Sequence, residues 1–508
     1  MLRFSCIFVG GWIATVAALG ATVGESHQYV YHHENVLGTS LEFRVRAQDP
    51  AVAARAESAA LQEIDRLAHI FSGYSPDSEF SRWQRTFDEP VPVSRELFAV
   101  LAQCDQWRLA SHGAFNPTAE TFSRLWKSAA AQGQVPSAIA LSSDIARAGK
   151  LAWRLDTAAQ TATHLSDCPL TLNAIAKGYI IEAASAVAWQ GGGLEGLLLE
   201  IGGDLRVRGR FTESIALVDP RDAAENAVAL GTVSVRDAAL ATSGNYRRGN
   251  VIQGRHYSHI IDPRTGETAD QVLGANVIAA DATTADALST TFSVLDPDAS
   301  IRLADATPGV ACLLTLADGR LVQSARWPQM APQMVAAEEK APRAQSDAPG
   351  TRFELAVDFE LSRPDDERYR RPYVAVWIED ADAYPVRTIL LWVLQTPKGA
   401  RWIPDLRRWR RSDNTRRLVD DKDIVATVSG ATRNPGKYTV VWDGNDDAGK
   451  PVKPGKYTCY VESAREHGPN SLVKHEFELG EQPFKVEVKG DEDIKGATLE
   501  YRRRTAGK

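Results

Sequence analysis

The spacing of hydrophobic positions changes character along this chain, and the changes divide it. From His27 to Ala47, HQYVYHHENVLGTSLEFRVRA alternates polar and apolar residues, the two-residue period of a pair of strands. His32 and His33 are neighbours there and so face opposite sides, which reads as solvated histidines rather than metal ligands. Between Ala51 and Ile70 the period lengthens, and Ala60, Ile64, Leu67 and Ile70 fall on one stripe of an amphipathic helix. A polar loop, FSGYSPDSEFSRW, precedes a second helix over Leu97 to Ser111, and the Asn-Pro pair of GAFNPTAETFSRLW starts a third near Thr118. In LTLNAIAKGYIIEAASAVAWQGGG an apolar strand end turns through Asn173 and Ala174 into a helix bearing Lys177 and Glu182. LLLEIGGDLRVRG reads as strand, Gly-Gly break and strand, and LATSGNYRRG places Thr242, Ser243 and Gly244 in a turn whose amides can approach a ligand.

From Ser324 to Thr351 the periodicity stops and Ala, Pro, Gln and charged residues fill the text, the composition of a linker. Beyond it FELAVDFEL, YVAVWIED, TILLWVL, KYTVVWDG, YTCYVESA, VKHEFEL and KVEVKG are short alternating strands, which predicts an antiparallel sandwich. The fold class is therefore α+β, a mixed α/β domain followed by an all-β sandwich. WDGNDDAGKPVKPGKY is a hairpin turn whose acids do not follow the EF-hand spacing, so a structural turn is favoured over a Ca²⁺ loop. RWIPDLRRWRRSDNTRR reads as a solvated basic face with arginines over aromatic rings.

Length and composition agree with this division. At 508 residues the chain exceeds one ordinary core, and 44% hydrophobic with 24% charged residues is globular. A net charge of -7 gives no global attraction for nucleic acid or anionic lipid. Residues 1–24, with Arg3, an apolar run and small residues at Ala18, Gly20 and Ala21, have the layout of a signal peptide, so the expected location is periplasmic, peripheral to a membrane at most. Cys104, Cys168, Cys312 and Cys459 are widely spaced without a CxxC, which indicates neither zinc nor a dense disulfide framework and leaves pairing open.

Chemistry is densest between Arg255 and Phe292, where HIIDPRTG is followed by an apolar strand (Ala275 to Ala279) and a helix carrying Asp286, Ser289 and Thr290. Asp286 and Thr290 are four residues apart and share a helix face, and a carboxylate with a hydroxyl is a hard-oxygen pair that suits Mg²⁺. The plainer reading makes Asp286 a first-turn dipole partner and Thr290 a back-bonding hydroxyl. Lys177, in the first turn of its helix, reads either as a phosphate-site lysine or as a solvated one. His259 is a candidate base, imidazole being the side chain suited to that role near neutral pH, or a turn residue before Asp-Pro.

Taken in order, Tyr74 with SPDSEFSR, GAFNPT (Gly113 to Thr118), NAIAKGY (Asn173 to Tyr179), EIGGD (Glu200 to Asp204), TSGNY (Thr242 to Tyr246), HIIDPRTG (His259 to Gly266) and ADALST (Ala285 to Thr290) resemble the FAD:protein FMN transferase family, the ApbE-like flavin transferases. The resemblance covers residues 28–327; residues 328–350 form the linker, and residues 351–508 look like a periplasmic domain of unknown function, DUF2271-like, found fused to such enzymes. It implies Mg²⁺ held by Asp286, Thr290 and the carbonyl of Ala174, and FAD as substrate, with Tyr74 and Phe115 offering aromatic surface and Leu37, Ala114, Asn116, Thr171, Lys177 and Ile261 lining the rest. Plain core is the other reading for Tyr74, Leu37 and Ile261. The sequence departs from the family at Asn116, Thr171, Asn245 and Glu182, where aspartate is usual.

The implied reaction is attack by a threonine hydroxyl of a secreted electron-transfer protein on the FMN phosphorus of FAD, with AMP leaving; His259 and Asp286 are the candidate catalytic residues. FAD hydrolysis to FMN and AMP, or flavin binding without turnover, are the alternatives. SGAT, Ser429 to Thr432, resembles the family's acceptor motif and implies that Thr432 is a possible FMN acceptor, so the partner is a separate SGAT-like flavoprotein or this chain's own C-terminal domain. A Ser-Gly turn entering a hairpin explains the same four residues structurally.

Overall fold

The computed structural model describes residues 26–222, 224–245, 249–331, 335–336, 353–363, 370–394, 397–419, 424–465 and 468–504. The segment expected to be a signal peptide and most of the expected linker lie outside these residues.

An eight-stranded antiparallel sheet organises the N-terminal domain. Its strands run, in spatial order, His27–Val36, Thr39–Ala47, Leu194–Ile201, Asp204–Gly209, Ala239–Gly244, Val272–Ala279, Ala311–Leu316 and Leu321–Gln323. Alternation sends Phe43, Val45, Leu197 and Leu199 to one face, where they pack with Ala53, Ile64, Ile180, Ala285 and Leu288 of the helices Pro50–Phe71, Ala176–Gln190 and Ala282–Val294. Leu198, Leu205, Val207, Leu240 and Leu313 point the other way, into a second core closed by a three-stranded sheet. The first helix begins where Asp49 accepts from the Ala51 amide at 2.8 Å, a capping carboxylate ahead of Pro50.

Several elements differ from the sequence expectation. Residues 170–172 are not strand; the Ala176–Gln190 helix follows an irregular loop in which Leu172 turns inward. Thr242, Ser243 and Gly244 close the strand Ala239–Gly244 instead of forming a turn. Trp327 is buried, and Val335–Ala336 pairs with Gly231–Thr232, so the ordered N-terminal fold runs beyond Ser324, where the loss of periodicity had placed the linker. Nor are the two histidines merely solvated: His33 meets Glu57 at 2.7 Å and His32 lies 3.6 Å from Glu42. The four cysteines Cys104, Cys168, Cys312 and Cys459 are buried and free.

The C-terminal domain is a sandwich of a four-stranded and a five-stranded sheet around Leu355, Val357, Val376, Trp392, Trp442 and Leu499. The sandwich also holds the strand Ile494–Arg503, in which buried Ala497, Leu499 and Tyr501 alternate with the more open Thr498 and Glu500. The basic run is the helix Arg407–Arg417, and only one face is solvated: Trp409 is 1% exposed and donates from Nε1 to Thr388 at 3.3 Å. Arg401 does lie over the Trp402 ring, 4.9 Å from its centroid. The Asp446 side chain accepts from the amides of Ala448 and Lys450, so the Gly-Asp hairpin is held by its own acids.

The two domains touch. Glu225 donates its amide to the Thr439 carbonyl at 2.8 Å, and the Asn226 amide group bonds both the N–H and the C=O of Val441, at 3.0 and 2.7 Å. Arg371 pairs with Glu34 at 2.7 Å and donates to the Gly38 carbonyl at 3.3 Å.

Candidate functional site

The helices Ala176–Gln190 and Ala282–Val294 approach closely because residue 178 has no side chain. A Cβ on Gly178 would sit 2.3 Å from the Ala282 carbonyl and 2.6 Å from Asp286 Cβ. At this contact the Gly178 amide donates to Asp286 Oδ2 at 2.8 Å. That is the donor an extended helix would have offered to the Ala174 carbonyl, one turn back. Asp286 is 3% exposed and lies in the second turn of its helix, whose first turn is capped by Asp281, so the dipole-partner reading of Asp286 does not apply.

Asp204, at the end of the Gly202–Gly203 turn, completes the corner. Its Oδ2 pairs with Lys177 Nζ at 2.7 Å and its Oδ1 accepts from the Thr242 amide at 3.1 Å. Burial, and next the neighbouring Asp204 carboxylate, push the Asp286 carboxyl up to about 7, while Lys177 opposes the shift. Two acids near one lysine leave an excess of negative charge that a cation would offset. Ser243 lies 2.9 Å from Ser289 Oγ and 3.2 Å from Thr290 Oγ1, and Ser289 donates to the Asp286 carbonyl at 3.0 Å. Thr290 thus turns its hydroxyl toward the neighbouring strand rather than only back along its own helix.

The side-chain oxygens at this corner, the Asp286 carboxylate and the Ser243 and Thr290 hydroxyls, are hard donors of the type that Mg²⁺ takes. Among the described residues no cluster of three or more His, Cys, Asp or Glu side chains stands together as a metal centre, at this corner or away from it.

Next to the corner stands a second group. Tyr74 is 85% exposed and its hydroxyl accepts from Asn173 Nδ2 at 3.0 Å, so it is not core. The Thr171 amide donates to the Pro117 carbonyl at 3.0 Å, its hydroxyl accepts from the Asn173 amide at 3.2 Å, and the Asn116 side chain accepts from the Thr118 amide at 3.1 Å. Tyr74, Asn116, Thr171 and Asn173 are thereby tied into one loop cluster ahead of Ala174. Leu37 is 38% exposed at its turn. Ala114, Phe115 and Ile261 are buried. His259 is exposed in the loop after the strand Arg255–Ser258. The longer acid Glu182 serves the scaffold: it pairs with Arg206 at 3.2 Å and also with Arg208, and accepts from the Ala282 amide at 2.9 Å. Asn245 is spent on the Ala269 carbonyl at 3.2 Å.

Thr432 does not stand on an open loop. It is 4% exposed, its hydroxyl lacks a hydrogen-bond partner among the described residues, and Ser429–Gly430 before it pairs in parallel with Leu391–Trp392. In this arrangement Thr432 offers no accessible nucleophile.

Asp204 and Ser243 were not singled out from sequence as site residues. The signals for them are their places in the EIGGD and TSGNY motifs; spacing alone does not reveal that the partners of Ser243 come from a helix 46 and 47 residues away.

An antiparallel sheet with two close-packed helices that bury an acidic, oxygen-rich corner beside a lysine defines a mixed α/β domain with a polar corner at its helix–helix contact. A profile described as the ApbE family matches residues 37–314, and the chain belongs to that family. One described as a predicted periplasmic protein (DUF2271) matches residues 354–496. The FAD:protein FMN transferase of Treponema pallidum is 29% identical over 355 residues, 64% of this chain and 95% of the relative. That of Vibrio cholerae is 29% identical over 316 residues, covering 58% and 90%. The solved ApbE protein of Thermotoga maritima superimposes with a TM-score of 0.53 at 27% identity over 60% of this chain and 99% of its own.

Proposed function

We propose that this protein transfers FMN from FAD to a threonine hydroxyl of a periplasmic electron-transfer protein, releasing AMP, with Mg²⁺ bound at Asp286, Thr290 and the Ala174 carbonyl. The observation that carries the reading is the Lys177–Asp204–Asp286 corner, with Lys177 Nζ 2.7 Å from Asp204 and Asp286 accepting from the Gly178 amide at 2.8 Å. In the reaction the acceptor oxygen bonds to the FMN phosphorus, the bond from that phosphorus to the AMP oxygen breaks, and the hydroxyl proton leaves to a base. A bound Mg²⁺ supplies charge neutralisation at the pyrophosphate.

The chain's own residues have separate tasks. Asp204 orients Lys177 toward the anionic substrate, and the Gly178 amide fixes the carboxylate of Asp286. Tyr74, exposed and anchored by Asn173, provides a ring face for flavin or adenine. Phe115, Leu37, Ala114, Asn116, Thr171 and Ile261 shape the surrounding wall. His259, an exposed imidazole, is the proton acceptor in this reading.

The test is direct. Mature protein is incubated with FAD, Mg²⁺ and an acceptor carrying an SGAT-like motif, and the acceptor is weighed by mass spectrometry. Addition of one FMN with release of AMP supports transfer. Free FMN and AMP without an adduct replaces it with hydrolysis.

A further inference from the structure

The turn that joins the first two strands is strained. Asn35, Leu37 and Gly38 have φ of 62°, 50° and 80°, and a left-handed leucine persists only where its surroundings fix it. The hairpin pairing of Val36 with Thr39 closes this turn, and side chains of the other domain brace it from outside. The Arg371 side chain, 7% exposed, pairs with Glu34 at 2.7 Å and donates to the Gly38 carbonyl at 3.3 Å, and Asn434 Nδ2 approaches the same carbonyl at 3.5 Å.

The turn in turn backs onto the site. The Gly202 amide donates to the Ser40 carbonyl at 3.1 Å, and a Cβ on Gly202 would lie 2.7 Å from Thr39 Cγ2. Gly202 and Gly203 are themselves left-handed, with φ of 60° and 93°, and the next residue is Asp204, which holds Lys177. Close-packed contacts pass on a displacement rather than absorbing it.

We infer that Arg371 of the C-terminal domain is a positioning residue for the flavin site, clamping the Asn35–Gly38 turn so that the Gly202–Gly203 turn presents Asp204 and Lys177 to the substrate. The inference rests on the transferase reading for the identity of the substrate, FAD. It gives the sandwich a task in substrate binding although, among the described residues, it contributes none to the corner itself. Arg371 touches neither the acids nor the lysine and acts only through the two turns.

FAD affinity of the full-length protein, read from flavin fluorescence well below the melting temperature, tests the clamp. Arg371→Ala is expected to weaken binding about tenfold, short of the roughly 10²-fold cost of a full ångström of misplacement in a catalytic site. Arg371→Lys keeps the pairing with Glu34 but not the fork to Gly38, so it falls between Arg371→Ala and wild type. Glu34→Gln, a near-isosteric change outside the site, is expected to weaken binding in the same direction, with thermal melting confirming that each variant is folded. Affinities of Arg371→Ala and Glu34→Gln within about twofold of wild type overturn the clamp. A wild type that binds FAD but labels no acceptor overturns the transferase reading alone, since the affinity comparison still decides the clamp.

Discussion

The Gly178 amide and the Asp286 carboxylate meet at 2.8 Å across two helices that a single methyl group would push apart. Gly178→Ala places a Cβ 2.3 Å from the Ala282 carbonyl, a main-chain atom that cannot rotate away. The expected outcome is a loss of about 1–3 kcal/mol, typical of overpacking, measured by urea denaturation, together with weakened Mg²⁺ dependence of FMN transfer. Unchanged stability would mean that the helices separate freely and that the close approach is not needed.

Asp286→Asn keeps the shape and removes the charge. FMN transfer is expected to fall by about 10²–10³-fold, the scale for loss of a charge-stabilising group, and Mg²⁺ should no longer raise the melting temperature. The folded carboxyl of Asp286 sits at about 7, above its ordinary value of 3.8, so without metal it contributes stability at low pH that is lost as pH rises through that range. Metal-free Asp286→Asn should therefore melt higher than metal-free wild type at pH 8, and the difference should close toward pH 4. A variant with full transfer activity removes the metal assignment.

Glu200 carries the same sign for the same kind of reason. Burial, then the Glu42 carboxylate directly opposite on the neighbouring strand, push it up to about 7. The unfolded chain releases this proton near the ordinary glutamate value and the folded chain holds it, so stability falls between about pH 4.5 and 7. Glu200→Gln is expected to gain about 1–2 kcal/mol at pH 8, discounted for partial exposure, and nothing at pH 4. Melting curves across that range decide it.

Thr432→Val replaces a sealed hydroxyl that has no partner among the described residues with a methyl group of the same shape. Removing an unsatisfied buried group is expected to stabilise the protein by about 1 kcal/mol. FMN transfer to a separate acceptor should be unaffected, and wild-type protein incubated with FAD and Mg²⁺ alone should gain no mass at Thr432. A stoichiometric FMN adduct there would show that the loop leaves its seat.

What the sequence revealed and what it hid follow from range. Asp286 and Thr290 could be paired by helical spacing alone, and the first strand pair, the Pro50–Phe71 helix and most sandwich strands declare themselves by period. Asp204 could not, because its partner Lys177 stands 27 residues earlier and the two meet only once a helix packs on the sheet. Ser243 looked like a turn because Thr-Ser-Gly favours one, yet pairing with Val272–Ala279 keeps it extended. Trp409 in its arginine run looked solvated because local charge says nothing of the sheet that covers the other face. Thr432 stood in a motif, and a motif carries no record of burial.

The pairing of Glu225 and Asn226 with the strand Gly436–Trp442 has one more consequence. That strand is an outermost member of its four-stranded sheet, with Phe353–Leu361 on its inner side. An outer strand with open N–H and C=O groups invites a foreign chain to add itself. Here the Thr439 carbonyl is taken by a main-chain amide, and both polar groups of Val441 by the Asn226 side chain, which imitates a peptide unit. The transferase domain is therefore a sheath for its neighbour: parted from it, the sandwich would bare a sticky margin, and stray oligomers would form along that border.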